Sequence, residues 1–160
     1  MTINKTEKIH PSNGMVIRYK GLIDMDSLYK NVKLWFIKNK YDYFEKENTE
    51  KHKDVGINIK IRMKAQREID DYVRFDLEVD MVEVLHYKKV EGGYYGEPRI
   101  VIRGFMILDY RNNWKLIPFL FYLYNNIILK NKILKYYWPK IFNEMMDLND
   151  LIKKELGLIK

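Results

Sequence analysis

Two runs of strict alternation dominate the middle of the chain. Ile57, Ile59, Ile61, Met63 and Ala65 alternate with Asn58, Lys60, Arg62 and Lys64; Val73, Phe75, Leu77, Val79 and Met81 alternate with Arg74, Asp76, Glu78 and Asp80. A period of two sends successive side chains to opposite faces of a strand. The runs, joined by residues 66–72, predict an antiparallel hairpin with one apolar and one charged face. Both faces are satisfied together when Ile61 stands opposite Leu77, Arg62 opposite Asp76 and Lys60 opposite Glu78. Met81 and Val82 are adjacent apolar residues, which predicts a bulge at that point.

The flanking patterns are simpler. Residues 15–23 are apolar enough for a strand, with Arg18 and Lys20 on one face. Asp24 and Ser27 suit a helix start, because their side-chain oxygens accept hydrogen bonds from free first-turn amides. Leu28, Val32, Trp35 and Phe36 then recur at helical spacing and predict an amphipathic helix. Residues 41–47 suit a strand loosely, 48–56 read as a polar loop, and 91–98 as a flexible connection. Residues 99–110 predict another strand, in which Gly104 marks a bulge or a close approach.

Residues 114–158 read as helical. The stretch 116–129 is apolar on every side, interrupted by Asn125 and Asn126 and closed by Lys115 and Lys130. It is too short to span a bilayer, so it predicts a buried or interfacial helix, with burial against the sheet preferred. Leu134, Trp138, Ile141, Met145, Leu148 and Ile152 step by four and three, a seam that should face the protein. The order of elements predicts an α+β fold: an antiparallel meander sheet with helices packed on one face, an N-terminal strand–helix unit and a C-terminal helical segment. A flexible tail over 1–13 is expected to precede a single α+β domain over 14–160.

Composition narrows the chemistry. The 160 residues contain no cysteine, which excludes a disulfide scaffold, a cysteine-rich zinc site and a cysteine nucleophile. Ser12 and Ser27 are the only serines, and neither lies in a G-x-S-x-G turn. His10, His52 and His86 share no helical or strand spacing, and Gly92, Gly93 and Gly96 do not form a phosphate-binding fingerprint. No cofactor and no metal site is therefore expected. Asp76, Glu78 and Asp80 line one strand face and are weak catalytic candidates for metal-dependent hydrolysis. Lys60, Arg62 and Lys64 on the matching face account for all six residues as a cross-strand charge ladder without any chemistry, which is the preferred reading.

The net charge of +7 is uneven. From Tyr110 to Asn143 there are six basic residues and no acidic one. Trp114, Tyr122, Lys130, Lys132, Lys135, Tyr136 and Trp138 fall in that stretch and are the candidate binding residues. Tryptophan and tyrosine suit a water–lipid boundary, and lysines suit anionic headgroups. The same composition can stack on single-stranded nucleic acid, the least favoured reading, and core is the preferred reading of the aromatics themselves. The polar N-terminus shows no leader pattern, and with the missing cysteine this leads us to expect a cytoplasmic protein.

In Tyr19-Lys-Gly-Leu-Ile-Asp24, Tyr41-Asp-Tyr-Phe-Glu-Lys-Glu47 and Leu108-Asp-Tyr-Arg-Asn-Asn-Trp114 the chain resembles small uncharacterised archaeal α+β proteins. That resemblance implies a fold and carries no activity. The element order is also similar to a helix-grip fold, in which a C-terminal helix crosses an antiparallel sheet and encloses an apolar ligand. The functional expectation is a non-enzymatic binding or interaction module. Its partner would be an anionic membrane surface, an apolar ligand, a protein partner or a second copy of the chain.

Overall fold

The computed structural model describes residues 5–11, 13–53, 56–114 and 117–159, with the side chains of 52, 53 and 83–87 excepted. The strands are β1 (Lys5–Lys8), β2 (Met15–Arg18), β3 (Gly21–Ile23), β4 (Asp42–Lys53), β5 (Gly56–Glu68), β6 (Val73–Val90) and β7 (Gly93–Leu108). They form one antiparallel sheet in the order β1-β7-β6-β5-β4, with β2 and β3 also pairing with β7. The N-terminal segment thus forms one broken edge strand along β7. Within the expected tail, Lys5–Lys8 pairs with residues 105–108 and Ile9 is buried, so these residues belong to the sheet.

The α+β architecture has two layers. Ile61, Met63, Ala65, Phe75, Leu77, Val79, Ile100, Ile102 and Met106 form the buried face of the sheet. Helix α1 (Met25–Lys38) covers it with Leu28, Val32, Trp35 and Phe36, and its Asp24 cap accepts from the Ser27 amide at 2.9 Å. Beside α1 lies a C-terminal helical segment. It comprises α2 (Pro118–Leu123), a π-helical turn (Tyr124–Ile128), α3 (Lys130–Lys132), a second π turn (Ile133–Tyr137) and α4 (Trp138–Glu155). Trp35 Nε1 donates to Asp147 at 2.6 Å and Tyr41 Oη to Glu144 at 2.6 Å, which fixes α4 beside α1.

Several sequence expectations are corrected. The β5–β6 register places Ile61 opposite Met81, Arg62 opposite Asp80 and Lys64 opposite Glu78. The faces are as expected, but the pairing is displaced because the connection is shorter than 66–72. The Asp70 carboxylate accepts from the amides of Tyr72 (2.9 Å) and Val73 (2.8 Å), closing a tight turn. The bulges of β6 lie at Glu83/Leu85 and Leu85/Lys88, beyond Met81 and Val82. Residues 48–53 continue β4, which reads as loop because an exposed edge strand needs no apolar alternation. Residues 93–98 are strand too, held by β3 across Gly96, Tyr95 and Tyr94.

Candidate functional site

The C-terminal segment departs furthest from expectation. Phe121, Asn125, Leu129, Ile133, Tyr137, Ile141 and Met145 are all buried, in steps of four. In an α-helix four residues over-rotate by about 40°, so six such steps would carry the stripe roughly 240° around the axis. Each π turn accommodates one extra residue and rewinds the stripe by about 100°. Two π turns therefore hold a period-four stripe against the sheet. The expected seam holds only from Ile141 onward: Ile141, Met145, Leu148 and Ile152 are fully buried. Upstream, Ile133 and Tyr137 take the inner positions, and Leu134 and Trp138 turn outward, 56% and 37% exposed.

Polar aromatic contacts anchor the inner side to the β5–β6 turn. Tyr72 Oη donates to Asn125 Oδ1 at 2.9 Å, and Asn125 Nδ2 donates to the Phe121 carbonyl at 2.9 Å. Tyr137 Oη donates to Asp70, and Lys132 approaches the same carboxylate at 3.5 Å. Partial burial opposes ionisation of Asp70, but hydrogen bonds from Tyr137, Tyr72 and Val73, with Lys132 beyond, hold its carboxyl below the usual value. The Tyr137 hydroxyl, followed by burial working against it, dominates the shift at Lys132, whose pKa is raised. Trp114 is placed by buried Asp109, which takes a left-handed conformation (φ 54°) and accepts from the amides of Asn113 and Trp114. Trp114 then packs on Tyr124 at 5.5 Å, and Tyr124 on Tyr72 at 5.3 Å.

The outer side is bare. Phe119, Leu123 and Ile127 form an outward ridge opposite the buried stripe, with Tyr122 and Ile128 on its flanks. Phe119 is 72% exposed, Ile127 67% and Tyr122 63%. The preferred burial of 116–129 is thereby overturned for its outer face; Lys115 and Leu116 lie outside the described residues. One to three turns along stand exposed Lys130 and Lys135, with Tyr136 half exposed and Trp138 stacked on Phe142 at 5.1 Å. The residue types here are readable in the sequence but their exposure is not, because the π turns give burial a period of four in place of the four-and-three steps of a regular helix.

The strand carboxylates are taken up by cations. Asp76 is buried and accepts from Arg74 Nε at 2.7 Å and Gln66 Nε2 at 2.9 Å, with Lys64 at 3.4 Å. Asp80 accepts from Arg103 at 2.6 Å, and Glu78 stands 3.7 Å from Lys64. Lys60 pairs with Glu47 at 3.1 Å rather than with Glu78. Among the described residues no group of three or more His, Asp or Glu could hold a metal ion. His10 packs edge-on against Phe105, and the side chains of His52 and His86 lie outside the described residues.

An apolar ligand under the helix finds no space where α4 crosses the sheet, since a Cβ at Gly104 would overlap Met145 Sδ. Among the described residues no helix is long and apolar enough to cross a membrane. No protein-family model and no curated protein matches the chain.

Proposed function

We propose that the chain is a non-enzymatic binding module that docks on anionic lipid surfaces through residues 117–138. The observation that carries this reading is the outward ridge of Phe119, Leu123 and Ile127, followed by exposed Lys130 and Lys135 in a stretch with no acidic residue. A contiguous exposed apolar ridge is uncommon on a soluble surface and costs free energy unless something covers it. Apolar residues can enter the acyl boundary while tyrosine and tryptophan sit at headgroup depth. Each lysine near an anionic leaflet adds about 1 kcal/mol at physiological salt. Asp70 engages Lys132 and Glu7 shares a groove with Lys130, but no residue of the ridge itself is acidic, which favours a negatively charged surface.

The test is co-sedimentation of the full chain with phosphatidylserine-containing vesicles and with neutral phosphatidylcholine vesicles, at low and high salt. Salt-sensitive pelleting with the anionic vesicles alone is expected, and Phe119→Asp together with Ile127→Asp should abolish it. A concentration-dependent dimer by ultracentrifugation, with no vesicle binding, would replace the lipid by a second copy of the chain.

A further inference from the structure

On the opposite face of the sheet, two arginines stand directly across one ladder. Arg18 of β2 pairs with Arg99 of β7, so the two side chains rise from neighbouring positions on the same face. Like charges directly opposite each other destabilise a strand pair. The next pair on that face is complementary, because Lys20 Nζ lies 2.5 Å from Glu97. Glu97 is thus already engaged. The other neighbour of Arg99 across the sheet is Val82, and the nearby Asp80 is held by Arg103. Among the described side chains neither Arg18 nor Arg99 has an acidic partner, and the Arg99 Nε is buried without a hydrogen-bond acceptor.

Arg18 and Arg99 line a groove of about 330 Å³ together with Tyr19, Glu97 and Pro98. Lys20 engages the Glu97 carboxylate, so among the described side chains Arg18 and Arg99 remain as two cations without an acidic partner beside the groove. A guanidinium presents its donors as a fork that matches tetrahedral oxyanions, and a phosphate monoester carries close to two negative charges at neutral pH. The groove is larger than a bare phosphate requires, which leaves space for an organic group beside the phosphoryl.

We propose that Arg18 and Arg99 bind the phosphoryl group of a small phosphate monoester, whose organic part occupies the rest of the groove. The phosphoryl oxygens accept from the Arg18 and Arg99 guanidinium groups, and the bound dianion cancels the repulsion across the ladder. The site lies on the face away from α4 and is independent of the lipid-docking ridge.

Calorimetric titration and thermal unfolding in chloride buffer at constant ionic strength test this, with phenyl phosphate, inorganic phosphate and benzoate as probes. Phenyl phosphate should bind saturably and raise the melting temperature, and benzoate should bind far more weakly. Arg18→Gln and Arg99→Gln should each weaken phenyl phosphate binding by roughly 10–100-fold, the loss expected for a charge-assisted hydrogen bond. Because Arg18 is exposed, its variant should fold, and without phosphate it should melt above the parent chain because the repulsion is gone. Inorganic phosphate binding as tightly as phenyl phosphate would overturn the monoester. Equal responses of the parent and both variants, or a non-saturable response like that to chloride, would overturn the site.

Discussion

Met145 of α4 sits directly on Gly104 of β7: a Cβ added to the glycine would overlap the Met145 sulfur and come within 3.3 Å of Leu77 Cδ2. The helix can lie this low only because the strand has no side chain there. Gly104→Ala should therefore cost about 1–3 kcal/mol, the usual penalty for overpacking a filled core. Urea unfolding measures it. The companion Met145→Ala in the Gly104→Ala background should recover part of the loss, since the new methyl group then has space. A neutral Gly104→Ala would show that α4 does not rest on this strand.

Arg67 ties the sheet to α4. Its guanidinium donates to Glu144 at 2.6 and 2.8 Å and to the Asn39 carbonyl at 2.6 Å, and it stacks over Tyr41 at 4.6 Å. Both side chains are mostly buried, so removing one leaves the other charged and unpaired. Glu144→Leu alone should cost about 3 kcal/mol, the low end for breaking a buried pair. The double change Arg67→Met with Glu144→Leu should cost less than that single change, because apolar replacement of both members avoids the stranded charge. A double-mutant cycle by chemical unfolding gives the coupling directly.

Alkaline pH should unfold the chain through its tyrosines. Burial, then the Glu144 carboxylate, pushes the Tyr41 hydroxyl far up; burial, then Tyr29, does the same at Tyr43; burial alone dominates at Tyr72. These groups stay protonated in the folded state when the unfolded chain has already released its protons near pH 10. The unfolded state then binds fewer protons, so stability falls as pH rises from about 10 toward the higher folded values, and is fully present below. Ultraviolet titration should show a fraction of phenolates forming only with the unfolding transition. Tyr72→Phe should make that transition shallower.

The sheet and α1 were legible because their burial is one-sided and simple. Ile61 and Phe75 alternate with charges, and Val32 and Phe36 recur at helical spacing, so face assignments follow from the pattern. The register was not legible, because the four-residue displacement from Leu77 to Met81 opposite Ile61 keeps every side chain on its face, and only the Asp70 turn selects among such registers. The edge strand β4 was invisible over 48–53 for lack of an apolar row. In the candidate site, residue types and the acid-free charge pattern were readable, whereas exposure was not. Arg18 and Arg99, 81 positions apart, become neighbours only through the β2–β7 ladder.

The π turns make a sharp claim about phase that a pair of substitutions can check. With continuous α-helix through 130–145, Leu134 and Trp138 would lie above Ile141 on the inner seam. The two π turns instead bury Ile133 and Tyr137 and turn Leu134 outward. Ile133→Ala should then cost about 2–5 kcal/mol, as for a buried aliphatic side chain. Leu134→Ala should stay within about 0.5 kcal/mol of the parent, as exposed substitutions do. The same Leu134→Ala should weaken pelleting with anionic vesicles, because the lost side chain belongs to the docking surface rather than to the core. Reversed stabilities, with Leu134 the costly position, would restore the regular seam and bring Trp138 inward with it.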